Sequence, residues 1–191
     1  MAEPGSQEDI DIYLLPQGVL SQLCRDSTAL LPGLLTRVGL HTFVDPRQSG
    51  GLQTGKGGHE LIRLMMIDGE EVLFYPSLPI DVAVIRGTTA DEHGNISMED
   101  EVIFGEMFSM AAAAHNRSGI VIAQVKRVVA SRTIPGKCVE VPGALVDYVV
   151  VVREQKQTYQ VDFDPAHAGH LRDPDSAAGA GDMSVRMAIA R

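Results

Sequence analysis

The chain has few of the residues that mark three common classes of protein. Lysine and arginine number 16 against 25 aspartates and glutamates, giving a formal net charge of −9, whereas a general nucleic-acid surface needs clustered cations. The only cysteines, Cys24 and Cys138, lie far apart without C-x-x-C spacing, which argues against a disulfide framework and fits a reducing cytosol. No apolar run reaches the roughly 18 to 20 residues that cross a bilayer, and no signal peptide begins the chain. We therefore expect a cytoplasmic protein that binds neither nucleic acid nor membrane.

What the sequence does contain is a set of short apolar runs without alternation, at 12–15, 82–85, 120–123 and 149–152. Such runs are typical of strands buried on both faces of a parallel sheet. Between the second and third runs, residues 101–115 are rich in Ala and Met and are followed by Gly119, which predicts a buried helix with a glycine stop. Strand, helix and strand form a βαβ unit, so the predicted fold class is α/β.

Two other features complete the predicted architecture. Residues 61–67 and 70–75 flank Asp68-Gly69, a dipeptide that favours a tight hairpin turn. We therefore expect a mixed, largely parallel sheet flanked by helices. From Asp162 onward the composition shifts to small, charged and turn residues, which predicts one domain over 1–161 and a loose tail over 162–191. Residues 183–191 could start a short terminal helix.

The densest cluster of polar chemistry is Asp91-Glu92-His93-Gly94-Asn95. Calcium loops need oxygen ligands at alternating positions, and hydrolytic zinc sites need His pairs at helical spacing, neither of which this segment supplies. Asp and Asn beside Gly are turn residues, because their side chains hydrogen-bond the local backbone. A turn is therefore the favoured interpretation.

A second motif, Gly50, Gly55 and Lys56, has the G-x-x-x-x-G-K spacing of a phosphate-binding loop. The next residue should carry a hydroxyl for magnesium, but it is Gly57, and no buried strand precedes the motif. A flexible surface loop is favoured over a nucleotide triphosphatase site.

His167 and His170 lie three residues apart in the polar tail. No acid or thiolate is placed as a third ligand, so solvated side chains are favoured over a metal site. We predict no metal cofactor.

Gln17 follows the first apolar run in the segment Leu15-Pro16-Gln17-Gly18. If that run is a strand, Gln17 lies at its carboxyl end, where open α/β sheets bind ligands. From composition alone, an ordinary turn into a helix is the simpler interpretation.

Several segments together resemble the family I coenzyme A-transferases, of the acetate, propionate and short-chain acyl type. They are residues 15–20, 38–51, 85–101, 119–128 and 141–151. Their order and spacing make the resemblance specific over roughly residues 10–152.

The resemblance implies transfer of coenzyme A between a short-chain acyl-CoA and a carboxylic acid, with coenzyme A as a substrate. In the family a glutamate attacks the thioester, giving a mixed anhydride and then a glutamyl-CoA thioester, which is covalent catalysis. That glutamate lies in the second half of the family's chain, within E-x-G-x-x-G. Glu92 begins the only approximation here, with Ser97 in place of the last glycine, and its segment aligns with the first half. We therefore expect no nucleophile in this chain.

The resemblance also implies the site residues. Gln17 would support catalysis near the thioester, and Gly18 would let the backbone approach the substrate closely. Gly39, His41 and Thr42 match a family G-x-G-T that lines the acyl pocket, with His41 where glycine is commoner.

The chain thus resembles an incomplete first-half domain. Its expected partners are the acyl-CoA, the acid and the missing second-half domain, and a homo-oligomer is one way to cover an unpaired sheet edge. We expect no turnover by the isolated chain. The alternative is a non-catalytic remnant that binds an acyl-CoA or a partner domain.

Overall fold

The computed structural model describes residues 10–55 and 61–171, and the chain divides into two compact units. The first unit contains the residues up to Val84 together with 106–121, and the second contains 85–105 and the residues from Ile122 onward. The α-helices are α1 (Gln17–Thr28) and α2 (Met107–Asn116), and short 3-10 helices cover Gly136–Cys138 and Gly143–Leu145. The strands are β1 (Ile12–Tyr13), β2 (Gly33–Thr36), β3 (Leu52–Thr54), β4 (Arg63–Ile67), β5 (Glu70–Pro76), β6 (Val82–Arg86), β7 (Thr89–Asp91), β8 (Ile96–Ser97), β9 (Ile120–Val125), β10 (Arg127–Val129) and β11 (Tyr148–Val151).

The first unit is built around an antiparallel sheet in the order β2-β5-β4. The predicted hairpin between β4 and β5 is confirmed: Asp68 and Gly69 both have positive φ, at 50° and 81°, as a tight primed turn requires. The core of the unit contains apolar residues from α1, this sheet and the loops. They are Val19, Leu23, Val44, Ile62, Leu73 and Tyr75.

Helices α1 and α2 pack against each other in the first unit. The hydroxyl of Thr28 donates to the carbonyl of Ser109 over 3.0 Å, and the Asn116 amide donates to the carbonyl of Thr28 over 2.8 Å. The helix predicted over 101–115 begins only at Met107, because Gly105 has φ +55°, which a right-handed helix does not accommodate. The helix ends at Asn116, before the predicted glycine stop at Gly119.

The predicted βαβ unit is confirmed, since β6 and β9 flank α2 in sequence and are neighbours in a sheet of order β11-β9-β6. Strands β9 and β11 are parallel. The expectation that these strands are buried on both faces is wrong: Ala83 and Ile85 of β6 are buried, whereas Val82 and Val84 are exposed. The reason is that the described residues leave one apolar face of the strands uncovered.

Two further sheets complete the pairing. β1 pairs antiparallel with β3, and β7 pairs parallel with β10 and antiparallel with β8. The α/β class with mixed strand pairing is therefore confirmed, and the strands within 10–55 and 61–171 are spread over four small sheets.

Residues 162–171 form turns that are hydrogen-bonded to the preceding segment. The side-chain amide of Gln157 donates to the carbonyl of Asp164 over 3.1 Å, and the amide N–H of Asp164 donates back to Gln157 Oε1 over 2.8 Å. The boundary between 161 and 162 stays a prediction, and the possible helix at 183–191 lies outside the described residues. No helix in 10–55 or 61–171 has the length and apolar character needed to cross a membrane.

Candidate functional site

Gln17 and Gly18 lie in the first turn of α1, the α1 turn, directly after Pro16. Both are exposed, whereas Val19 is buried in the core. A Cβ added to Gly18 would have no heavy atom within 4 Å, so the backbone of this turn is open to an incoming molecule. Helix N-termini carry a partial positive charge that favours anions. The turn can therefore present the Gln17 amide to a carboxylate.

Gly39, His41 and Thr42 lie together in one turn after β2, the Gly39 turn. The backbone N–H and the hydroxyl of Thr42 both donate to the carbonyl of Gly39, over 3.1 and 2.8 Å. Gly39 has φ +101°, and a Cβ there would lie 2.6 Å from the Tyr75 hydroxyl oxygen, so no larger residue fits. His41 has φ +62°, a left-handed conformation that favours glycine. This conformation gives a physical reason why glycine suits the position of His41.

A buried carboxylate holds this turn in place. Asp45 is only 1% exposed; its oxygens accept hydrogen bonds from the His41 N–H over 2.8 Å and from Arg47 Nε and Nη2 over 3.0 and 2.8 Å. The Arg47 side chain, helped by the backbone N–H groups, holds the pKa of Asp45 well below its usual range. Arg47 Nη1 also donates to Glu71 over 2.9 Å.

Sequence reasoning missed Asp45 and Arg47 as parts of the site, because Asp45-Pro46-Arg47 has the composition of an ordinary turn. The only sequence signal for an ion pair was that Asp45 and Arg47, of opposite charge, lie two residues apart and close to the Gly39 turn. The burial of one partner, which gives the pair its strength, has no local sequence signal.

The α1 turn and the Gly39 turn rest on the same core of the first unit. Val19 and Val44, which follow the two turns in sequence, share one hydrophobic cluster. The N–H of Leu14, which follows β1, also donates to the carbonyl of Gly51 over 2.8 Å. This bond holds the loop after the Gly39 turn beside the segment that leads into α1. Among the described residues, no hydrogen bond joins Gln17 or Gly18 directly to Gly39, His41 or Thr42.

The segment 91–95 of the second unit is a hydrogen-bonded turn, as predicted. Asp91 is buried, and its carboxylate accepts hydrogen bonds from the His93 N–H over 2.9 Å and from the Asn95 side-chain amide over 2.9 Å. These bonds, that of Asn95 first, lower the pKa of Asp91. Asn95 Oδ1 in turn accepts from the Gly143 N–H over 2.9 Å, and Gly94 has φ +80°.

Glu92 is engaged with the protein itself. Its Oε2 accepts hydrogen bonds from the hydroxyl and the N–H of Ser131, over 2.7 and 3.1 Å, and these bonds lower its pKa. These hydrogen bonds connect the 91–95 turn to Ser131, so the role of Glu92 is structural.

The other motifs contribute no ligand cluster in the part of the chain that the structure describes. Lys56 and Gly57 lie outside the described residues. The ring of His170 lies 6.3 Å from that of Phe163, centroid to centroid. Within 10–55 and 61–171, no three His, Cys, Asp or Glu side chains come together as metal ligands.

Known proteins resemble this chain over most of its length. It is 46% identical over 187 residues to caffeate CoA-transferase of Acetobacterium woodii, an alignment that covers 96% of this chain and 36% of that protein. It is 42% identical over 159 residues to acetate CoA-transferase YdiF of Escherichia coli K12, covering 83% of this chain and 30% of that protein. The chain thus spans about a third of the length of these relatives.

A solved structure gives the same result at the level of the fold. The acyl-CoA transferase YdiF of Escherichia coli O157:H7, in a thioester complex with CoA, superposes with a TM-score of 0.82 and 40% identity over 86% of this chain and 34% of that chain. The sequence model for coenzyme A transferases matches residues 2–152, which include the α1 turn, the Gly39 turn and the 91–95 turn. The chain therefore belongs to the coenzyme A transferase family.

Proposed function

We propose that this chain is part of the first-half domain of an enzyme that transfers coenzyme A between a short-chain acyl-CoA and a carboxylic acid. The observation that carries the proposal is the identity of 46% with a CoA-transferase across 96% of the chain. Because the relatives are about three times longer, the rest of the site, including the glutamate that forms the glutamyl-CoA thioester, is assigned to a second-half domain. The reaction uses coenzyme A as a substrate, needs no metal and takes place in the cytoplasm.

In this proposal Gln17 donates a hydrogen bond from its amide to the reacting carboxylate. The exposed position of Gln17 on the first turn of α1 supports this role. An amide does not ionise, so it can hold a carboxylate at any pH at which the substrate is charged. The open space around Gly18 lets the thioester approach the helix backbone.

Gly39, His41 and Thr42 form one wall of the acyl pocket in the same proposal. The turn is held by the buried Asp45, so its shape does not depend on a bound substrate. His41 replaces the hydrogen of a glycine with an imidazole, which narrows the pocket and adds a polar group to it.

The test is exchange between acetyl-CoA and propionate, followed as propionyl-CoA by liquid chromatography. The isolated chain is expected to give no product, and product is expected when a separately expressed second-half domain is added. Gln17→Ala should lower the rate of the mixture by roughly 100- to 1,000-fold, since one fixed donor to the reacting group is lost. Gln22→Ala is the matched control, because Gln22 lies in the same helix and bonds only to Asp26 in the described chain.

Each outcome has a distinct meaning. Exchange by the isolated chain would contradict the absence of a nucleophile. A mixture that binds acyl-CoA without exchanging it would favour the non-catalytic remnant. A Gln17→Ala mixture as active as the wild type would remove Gln17 from the site while leaving the reaction in place.

A further inference from the structure

Strand β4 forms one edge of the antiparallel sheet of the first unit, whose order is β2-β5-β4. Within 10–55 and 61–171 it pairs only with β5, residue for residue from Arg63 to Ile67 and without a bulge. Proteins usually protect such an edge with proline, lysine, a bulge or a covering element, since an open edge pairs readily with another chain. β4 contains no proline, lysine or bulge, and its one charged residue, Arg63, begins the strand. The edge is therefore open to a further strand.

Both faces of β4 carry exposed apolar side chains. Met65, Met66 and Ile67 are 41%, 62% and 39% exposed, and consecutive side chains of a strand point to opposite faces of the sheet. Leu64 is paired with the buried Leu73 and packs against the core cluster of the unit. Met66, two residues further on, lies on the same face as Leu64. A strand added alongside β4 would cover apolar surface on both faces.

The hydrogen-bonding groups of the free edge follow from the turn after β4. The two-residue turn Asp68-Gly69 closes on the pair of Ile67 and Glu70, whose backbone groups bond to each other. Bonded and non-bonded pairs alternate along an antiparallel ladder, so Leu64 and Met66 direct their N–H and C=O groups away from β5. Outside the strand ladders, no backbone hydrogen bond from another described residue reaches either of them. The edge thus offers two donors and two acceptors to a partner strand.

We propose that this edge pairs with the β4 edge of a second copy of the chain, antiparallel and across a two-fold axis at Met65. Leu64 of each copy then exchanges two hydrogen bonds with Met66 of the other, which gives four bonds in an isologous interface. An axis at Met66 would bring Leu64 opposite Asp68, which lies in the turn with positive φ. An axis at Leu64 would bring Met66 opposite Ile62, which lies outside the strand. The axis at Met65 therefore pairs the most outward-facing groups.

The charges at the two ends of β4 are complementary in this arrangement. Arg63 begins the strand, with its Cζ 4.8 Å from the centroid of the Phe74 ring, whereas Asp68 and Glu70 follow the end of the strand. Antiparallel pairing places Arg63 opposite Ile67 of the second copy and beside those two acids. A parallel arrangement would instead align like charges at each end, which destabilises paired strands. Charge thus favours a second copy of this chain, in the antiparallel direction.

The expected dimer is weak and reversible. A five-residue strand is much smaller than the roughly 20 to 30 residues a side of a standard interface. We therefore expect a Kd of roughly 10 to 100 µM. Some packing adds to the backbone bonds, because Met66 of each copy covers Leu64 of the other at the edge of the core cluster.

The test is sedimentation velocity of the purified 191-residue chain from about 5 to about 500 µM, a range that brackets the expected Kd. The weight-average sedimentation coefficient should rise from that of a monomer to that of a dimer. Met65→Lys should weaken the dimer at least about tenfold, because it places two like charges opposite each other at the axis. Met66→Pro should also weaken it at least about tenfold. It removes one outward N–H from each copy and leaves the hydrogen bonds to β5 in place.

Leu35→Lys is the matched control. Leu35 is 48% exposed and lies on the same face of the sheet as Met65, but on β2, so its substitution should leave the dimer unchanged. Mixing tests the register. Met65→Lys and Met65→Glu should each associate weakly alone and should form a heterodimer together, since opposite charges then meet at the axis. Circular dichroism melting separates lost association from lost folding in each variant.

The proposal is overturned if the wild-type chain stays monomeric throughout the range, or if folded Met65→Lys and Met66→Pro associate as tightly as the wild type. It is also overturned if the Lys and Glu variants do not associate on mixing, or if Leu35→Lys abolishes the dimer as fully as Met65→Lys. A monomeric chain that binds a separately expressed second-half domain through β4 would assign the edge to the rest of the enzyme instead. None of these outcomes depends on the exchange of coenzyme A, so the dimer and the proposed function can fail separately.

Discussion

Arg47 Nη2 lies 3.4 Å from Nδ1 of His41, within hydrogen-bonding distance. A guanidinium has five donors and no acceptor, so Arg47 must be the donor and Nδ1 the acceptor. The hydrogen of the imidazole is then on Nε2. The exposed side chain of His41 thus offers a defined N–H donor at the turn assigned to the acyl pocket, and the pair Arg47–Asp45 sets which tautomer it adopts.

This relationship predicts the tautomer of His41 in solution. In a ¹⁵N-labelled chain at about pH 9, where an imidazole is neutral, the ring nitrogens of His41 should show the widely separated shifts of the Nε2–H form. Arg47→Met should narrow that separation, because the donor to Nδ1 is lost. Arg37→Met is the control, since Arg37 is an exposed arginine of the same unit that pairs with Glu70. A wild-type chain that shows the Nδ1–H form would contradict the geometry, and His41→Gly identifies the signals.

The pair of Asp45 and Arg47 predicts a loss of stability when the charge of the acid is removed. Asp45→Asn should lower the free energy of unfolding by about 2 kcal/mol at pH 7, as expected for a hydrogen-bonded buried charge. Urea denaturation at constant pH measures the change. Glu70→Gln, which removes an exposed partner of Arg37, should cost less than about 0.5 kcal/mol. Equal losses in the two variants would show that the burial of Asp45 adds nothing.

The same carboxylate also makes the stability depend on pH. The pKa of Asp45 is lowered in the folded state by Arg47 and by backbone N–H groups, so the folded chain binds the proton less tightly than the unfolded chain. The stabilisation is present above the unfolded pKa of about 4 and is lost as pH falls towards the folded pKa. The difference between wild type and Asp45→Asn should therefore shrink below about pH 4. A difference that stays constant down to pH 2.5 would contradict this linkage.

The sequence predicted the features that depend on local residue types. Asp68-Gly69 predicted the β4–β5 hairpin because the positive φ of a primed turn is a property of those two residues. The apolar runs predicted β6, β9 and β11, because short apolar runs are typical of strands. The runs could not predict burial, because an apolar strand residue has the same local sequence whether or not another element covers its face. Val84, for example, is 68% exposed.

In the candidate site, too, the sequence predicted local turn conformations but not contacts between distant residues. The conformations of Gly39 and Gly94 follow from local glycine chemistry, and the turn at 91–95 was predicted from its residues. The partnership of Glu92 with Ser131 joins residues 39 apart, and no periodicity encodes such a contact. The resemblance placed Gln17 and Gly18 in a site, and both are exposed on the first turn of α1.

Gly18 offers a prediction in which stability and activity move in opposite directions. Its backbone is helical and a Cβ would meet no atom within 4 Å, so Gly18→Ala should raise the free energy of unfolding by roughly 0.5 to 1 kcal/mol. If the thioester approaches this backbone closely, the same methyl group should lower the exchange rate of the two-domain mixture. Thermal melting and the propionyl-CoA assay measure the two effects. A variant that is both more stable and fully active would show that no substrate comes near Gly18.

Glu92 provides the last prediction, because its surroundings resemble the E-x-G-x-x-G of a nucleophile while its hydrogen bonds are structural. Glu92→Ala should lower stability by about 1 kcal/mol through the loss of the two bonds from Ser131. Ser131→Ala, which removes only the hydroxyl donor, should lose part of that amount. Neither substitution should lower the exchange rate of the two-domain mixture. Intact-mass measurement after incubation of the isolated wild-type chain with acetyl-CoA gives the direct check. A stable coenzyme A adduct that disappears in Glu92→Ala would identify Glu92 as the nucleophile and reverse its assignment as a turn residue.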